Sequence, residues 1–182
     1  GVATIFDFDT QEGADFLVME YVPGGTLESR LRSGPLPLED VLRLGAEIGD
    51  ALSDAHARGF LHRDLKSGNV VLTGAGKPKL LDFGIARLLN EAHSQATLTQ
   101  PGTVMGSLAY MAPEQLLGEA DDVRTDVYSF GVMLFEMTTG RRPFQHERNA
   151  ALMFEILKNT PPATRSLRPD APAELDRLIN EC

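Results

Sequence analysis

The stretch from Val127 to Met137 constrains this chain most, because it is apolar on nearly every side of a helix. A helix with one apolar stripe lies on a surface; one that is apolar all round must be enclosed by other elements. A long helix is therefore expected over about Thr125 to Thr139, buried at the centre of a domain. The 182 residues suffice for one globular domain with a sizeable core. A content of 42% hydrophobic and 24% charged residues is ordinary for a soluble fold and excludes a mainly disordered chain. Tyr128, Phe130, Met133, Phe135 and Met137 read as core rather than as ligand contacts.

Elements that could enclose that helix are visible on both sides of it. Val2 to Phe8 and Phe16 to Tyr21 are apolar, β-branched and aromatic runs split by a polar turn, and they predict a hairpin. Pro23-Gly24-Gly25 should end the second strand, and Thr26 should cap a short helix through Arg32. Val41, Leu44, Ile48, Leu52 and Ala55 recur every three or four residues, which predicts an amphipathic helix ending at Gly59. Phe60 to Arg63, Val70 to Leu72 and Lys79 to Leu81 are short strand candidates, with Gly74-Ala75-Gly76 as a turn. From Ile85 to Met111 periodicity is lost, and a loop of that length inside a compact domain is often functional. Glu147 to Lys158 and Ala173 to Cys182 supply two further amphipathic helices. There are no repeats, low-complexity tracts or internal linker, so a single domain is expected.

Charge and cysteine usage narrow the partners. With 17 basic and 26 acidic residues, the formal charge of −9 argues against broad binding to nucleic acid or anionic membrane. The single cysteine, Cys182, excludes an internal disulfide framework and a cysteine-built zinc site, and fits a reducing compartment. No apolar run approaches the roughly 18 to 20 residues needed to cross a bilayer. The chain starts without Met in strand-like material and stops inside an apparent helix, so both ends read as cut from a longer protein.

Four polar residues form a chemically complete set. Transfer of a phosphoryl group from ATP needs metal ions on the phosphates, a carboxylate to orient the acceptor hydroxyl, and a cation to offset charge on the transferred group. Asp64, Lys66 and Asn69 lie in one loop, close enough to hold an acceptor and a metal together. Asp82 follows the apolar strand Lys79 to Leu81 and precedes Phe83-Gly84, where glycine permits a sharp turn. A carboxylate projected from a strand end into a cleft suits magnesium.

The run His62-Arg63-Asp64-Leu65-Lys66-Ser67-Gly68-Asn69 resembles the catalytic loop of the protein kinase family. Asp82-Phe83-Gly84 resembles its magnesium-binding motif, and Ala112-Pro113-Glu114 the end of its activation segment, all in the family's order. Lys66, two residues after Asp64, is similar to serine/threonine rather than tyrosine kinases. Tyr110-Met111-Ala112-Pro113-Glu114-Gln115 resembles the bacterial branch of these eukaryotic-like kinases. The resemblance implies an α+β, protein-kinase-like fold, with a mainly helical C-terminal lobe plus the hinge and last strands of the N-terminal lobe. Residues 1–22 would be the end of the N-lobe and the hinge, and residues 23–182 the C-lobe, cut at its C-terminal end.

What the resemblance implies for single residues is specific. Asp64 would accept or orient the substrate hydroxyl proton, Lys66 would contact the transferred phosphate, and Asn69 and Asp82 would hold magnesium. Ser107 stands where a hydroxyl bridges Asp64 and Lys66. Met19 would be the gatekeeper of a hinge in which backbone groups of Glu20 and Val22 bond the adenine, with Val71 packed on its face. Arg63, and a second basic position at Arg87, would pair a phosphate that orders the loop. Thr97, Thr99 and Thr103 are the phosphoacceptor candidates. Asp126 would fix the catalytic-loop backbone, and His62 and Phe83 would join the column that aligns the lobes. His56, His93 and His146 read instead as surface residues.

The resemblance also implies what lies elsewhere. A glycine-rich phosphate loop, a strand lysine and its partner glutamate would precede Gly1, and the arginine that pairs with Glu114 would follow Cys182. Glu114 would then be a buried carboxylate without its partner, and little turnover is expected from these residues in isolation. The implied activity is ATP-dependent phosphorylation of Ser/Thr residues on protein substrates, with ATP and Mg2+ (or Mn2+) required. Kinase self-association for activation is a further implied partner, and nucleic acid is not one. The implied setting is a cytoplasmic kinase domain, whose parent protein a segment outside this chain could anchor to a membrane. The alternative is a catalytically silent, pseudokinase-like scaffold that acts by binding, and the intact Asp64, Lys66, Asn69 and Asp82 favour the enzyme.

Overall fold

The computed structural model describes residues 1–11, 14–83 and 107–182. Strands β1 (Ile5–Gln11) and β2 (Ala14–Met19) pair antiparallel, with Ile5 opposite Met19, Phe8 opposite Leu17, and a bulge between Ile5 and Asp7. A second antiparallel sheet has the order β3 (Gly24–Thr26), β4 (Val70–Thr73), β5 (Pro78–Leu80). Gly24 and Gly25 were expected only to end a strand, yet they build one. A Cβ on Gly24, whose φ is 150°, would sit 2.0 Å from the Leu72 carbonyl oxygen, so only glycine lets the two strands approach.

The expected strand Val2 to Phe8 is split between these sheets. Ala3 N–H donates to Leu80 O and Leu80 N–H donates to Gly1 O, each at 2.8 Å, so the chain start runs beside β5. Apolar alternation marks both halves as extended but carries no information about which strand each will pair with.

The helices are α1 (Leu27–Leu31), α2 (Leu38–His56), α3 (Pro113–Leu117), α4 (Val123–Thr139), α5 (Asn149–Lys158), α6 (Thr164–Leu167) and α7 (Ala173–Glu181). Thr26 caps α1 as expected, its Oγ1 accepting the Ser29 N–H at 3.1 Å. Asp122 caps α4 by accepting the Arg124 N–H at 2.8 Å, and Gly140, with φ 77°, ends it in left-handed backbone. The short helices α3 and α6 had no expectation, because four or five residues show no periodicity.

Val41, Leu44, Ile48 and Leu52 of α2 meet Val132, Met133, Leu134, Phe135 and Met137 of α4, and Leu175 and Ile179 of α7 close the cluster. A Cβ on Gly45 would lie 2.9 Å from Leu134 Cδ2, so glycine is what permits this approach of α2 to α4. The all-round burial expected of α4 holds for its second half. Its first half exposes Val127 and buries the polar side chains of Asp126, which meets the loop between α2 and β4, and of Thr125 and Ser129, which bond to Glu114 and the Tyr110 carbonyl. Among the described residues no helix is long and apolar enough to cross a membrane.

Candidate active site

The segment Phe60 to Arg63, expected as a strand, is a loop, and Asp126 is the reason. Its carboxylate, 1% exposed, accepts the backbone N–H of His62 through Oδ2 and that of Arg63 through Oδ1, both at 2.8 Å. N–H groups committed to a side chain cannot enter a β ladder. His56, at the last turn of α2, adds Nε2 at 2.7 Å from the same Oδ2. The expectation that His56 is a surface residue is therefore corrected. It stands four residues beyond Leu52 on the buried stripe of α2, which is the sequence signal for its inward position. His146 is exposed, and His93 lies outside the described residues.

Asp126 thus sets the start of the catalytic loop, and a tight group of side chains follows. Lys66 Nζ donates to Asp64 Oδ2 at 2.6 Å and to Ser107 Oγ at 2.7 Å. Asn69 Nδ2 donates to the Asp64 carbonyl at 2.9 Å and to Asp64 Oδ2 at 3.1 Å, which turns its Oδ1 away as an acceptor for a cation. The expected bridge is arranged differently: the Lys66 ammonium, not the Ser107 hydroxyl, spans the group. Asp82 follows β5 and is held beside Asn69 by the Leu81 N–H, which donates to the Asn69 carbonyl at 2.8 Å.

Arg63 and Asp82 are the non-glycine residues with positive φ among those described, at 67° and 62°. Each such conformation costs about 1–3 kcal/mol and persists where surroundings over-determine it, typically at functional sites. His62, the neighbour of Arg63, is fully buried, its ring 4.6 Å from that of Phe83, the neighbour of Asp82, and tilted by 47°. Burial pushes the His62 imidazole below its ordinary pKa, against the opposing fields of Asp126, Asp64 and Asp82. Its ring nitrogens have no hydrogen-bond partner among the described residues.

The expected hinge residues Met19, Glu20 and Val22 are half-buried, and Val71 is buried on the neighbouring sheet. The Glu20 N–H is committed to Thr4 O at 2.8 Å, so a base would find the Glu20 carbonyl and the Val22 backbone rather than both groups of Glu20. The Glu20 side chain is used structurally: it forms an ion pair with Lys79 of β5 and accepts the Thr4 N–H at 3.1 Å. The Lys79 hydrogen bond, with help from Thr4, lowers the Glu20 pKa. No sequence reading had singled out Lys79.

Arg63 is half-buried, with Nε 3.3 Å from Asp121 Oδ2, and its carbonyl accepts from Gln115 Nε2 at 2.9 Å. Burial raises the Asp121 pKa, opposed by Arg63. Arg87, Thr97, Thr99 and Thr103 lie outside the described residues. Glu114 is corrected: it is half-buried rather than buried and alone, and its Oε1 accepts the Thr125 hydroxyl at 2.9 Å.

Sequence reasoning also missed a buried hydroxyl network. Ser67 Oγ lies 2.8 Å from Tyr110 OH, Tyr110 OH donates to Glu136, and Ser129 Oγ donates to Tyr110 O at 2.8 Å. Isolated Ser, Tyr and Glu carry no local signal of such a meeting, since they lie far apart in sequence.

A carboxylate, an ammonium and an amide thus converge on one loop of a mixed α/β scaffold, and a second carboxylate, Asp82, follows the strand β5. The chain belongs to the protein kinase domain family, whose model matches residues 2–182. It is 40% identical to the serine/threonine-protein kinase PknA of Mycobacterium tuberculosis over 185 residues, covering 98% of this chain and 41% of that protein. It is 34% identical to the probable serine/threonine-protein kinase PknB of Lactococcus lactis over 180 residues, covering 98% of this chain and 28% of that one. A probable serine/threonine-protein kinase of Streptomyces coelicolor is 38% identical over 95% of this chain and 26% of its own length. The chain thus spans about a quarter to two-fifths of these relatives.

Proposed function

We propose that this chain forms the hinge and large lobe of a serine/threonine protein kinase, which transfers the terminal phosphoryl group of ATP to hydroxyls of protein substrates. Residues 1–22 would contribute the end of the small lobe and the hinge, and residues 23–182 the large lobe. The observation that carries this reading is the Lys66 ammonium held between Asp64 Oδ2 and Ser107 Oγ, with Asn69 on the same carboxylate.

In this arrangement Asp64 orients the acceptor hydroxyl and takes its proton as the new P–O bond forms. The bond from the terminal phosphorus to the bridging oxygen breaks, ADP carrying away that electron pair. Lys66, already beside that carboxylate, offsets charge on the group being transferred. Asn69 Oδ1 and the Asp82 carboxylate are hard oxygen donors that fit magnesium, which is commonly held by one or two protein ligands plus substrate phosphates. Among the described residues no cluster of three or more His, Cys, Asp or Glu could hold a metal ion. Bound magnesium would supply charge neutralisation on the phosphates, with Mn2+ as a substitute. The Glu20 carbonyl and Val22 backbone would receive the adenine beside Met19, over Val71.

Activation extends the same reading. Arg63, with Arg87 as a second cation, would exchange its Asp121 contact for a phosphate on Thr97, Thr99 or Thr103, with a second kinase copy as donor. A cytoplasmic setting, where ATP and protein substrates are both at hand, would suit such a domain. In the full-length protein, Asp64→Asn should lower phosphate transfer to a Ser/Thr peptide by about 10²–10⁴-fold while nucleotide binding persists. Transfer at the wild-type rate in that variant would sink the proposal.

A further inference from the structure

We propose that Ser67 is a positioning residue, one half of a two-point latch that fastens the turn Leu108–Tyr110 to the catalytic loop. The turn is a 3₁₀ helix, in which side chains three residues apart lie on the same side. Ser107 and Tyr110 therefore face one way, and they meet consecutive residues of the loop. Lys66 Nζ donates to Ser107 Oγ at 2.7 Å, and Ser67 Oγ lies 2.8 Å from Tyr110 OH.

Proton bookkeeping orients the second contact. Tyr110 has one hydroxyl proton and gives it to the Glu136 carboxylate, so its oxygen must accept from Ser67. Burial, with the Glu136 charge second, raises the Tyr110 pKa and keeps that proton in place. The resulting chain runs from the Ser67 hydroxyl through the Tyr110 phenol to Glu136 on α4. Ser67 is 2% and Tyr110 5% exposed, so water does not substitute for either partner. Ser129, also on α4, holds the Tyr110 carbonyl from behind at 2.8 Å. The turn is thus clamped between the catalytic loop and the central helix.

Resting on the kinase reading above, the latch fixes the distance between Asp64 and the surface on which an acceptor segment would lie. Two readouts in the full-length protein test it. In Ser67→Ala, exchange of the Tyr110 and Met111 amides, which donate to Ser107 O at 3.0 Å and Leu108 O at 3.2 Å, should quicken about tenfold. The kcat for a peptide acceptor should fall about tenfold, as for loss of one buried hydrogen bond, while KM for ATP stays within about twofold. Ser67→Thr, which keeps the hydroxyl, should restore both readouts. Tyr110→Phe should behave like Ser67→Ala, with the double variant no worse than either. Amide exchange needs no catalysis, so the latch fails separately from the kinase reading, which Asp64→Asn judges. Wild-type values in either readout for Ser67→Ala overturn the latch. So does a parallel loss of kcat and ATP affinity that threonine does not repair.

Discussion

His62 couples this site to pH. It is fully buried, packed against Phe83, and sits where Asp126, Asp64 and Asp82 all project their fields, yet desolvation dominates and depresses its pKa below 6.5. The unfolded chain, with an ordinary imidazole, binds the proton more readily than the folded one. Its contribution to stability is therefore complete above about pH 6.5 and is lost as pH falls towards the folded-state value. Asp121, whose pKa burial raises, acts with the opposite sign and favours the folded state as it becomes protonated. Unfolding free energy of the wild-type protein should decline as pH is lowered from about 7 to about 5. His62→Phe, which keeps an aromatic ring against Phe83 and removes the proton site, should flatten that decline. An equal slope in both proteins, measured by chemical denaturation across the range, would refute the assignment to His62.

At the scale of elements, α4 does two jobs along one helix. Its C-terminal half is a packing core for α2 and α7, and its N-terminal half presents Asp126, Ser129 and Thr125 to the loops that carry chemistry. The seam with α2 is tight enough that Gly45 has no room for a methyl group beside Leu134. Leu134 is 2% exposed, and truncating it to alanine removes transfer free energy and leaves a cavity that neighbours on two helices cannot fill. Leu134→Ala should cost about 2–5 kcal/mol, read from the shift in denaturation midpoint. A loss below about 1 kcal/mol would mean that the seam relaxes far more than such packing allows. Helix α2 was legible because it repeats its apolar positions over several turns, and α4 because its long apolar run demands enclosure. The Phe60–Arg63 loop was not, because its apolar start imitates a strand and the carboxylate that keeps it out of a sheet lies more than sixty residues away.

At the scale of the whole molecule, the β1–β2 hairpin meets the rest of the chain through the Glu20 region. The Glu20–Lys79 ion pair ties the end of β2 to β5, the strand that Asp82 follows. Lys79 and Glu20 side chains are 27% and 31% exposed, so solvent screens the pair and its energetic worth is small. Its value is geometric, since it holds Glu20 beside β5. In the full-length protein, Lys79→Met should raise KM for ATP by no more than about fivefold, as for loss of a screened pair, and leave kcat close to wild type. A fall in kcat with KM unchanged would place Lys79 in the chemical step instead.

The sequence by itself determined the long helices, the class of chemistry and the order of its motifs. These rest on local patterns: apolar residues at helical spacing, and side chains of the right type a few positions apart in one loop. Only the tertiary structure decided that Gly1–Ala3 leave the hairpin for β5, that Lys66 rather than Ser107 is the bridge, and that His56 and Asp126 meet over the loop. It alone decided that Ser67, Tyr110 and Glu136 form one buried chain. Each of these is a pairing between distant segments of a hydrogen-bond donor and an acceptor that burial would otherwise leave unmet. Such pairings are settled when the core closes around α4 and brings the groups together out of water. The buried helix that constrained the sequence most is thus also the element that gathers the site.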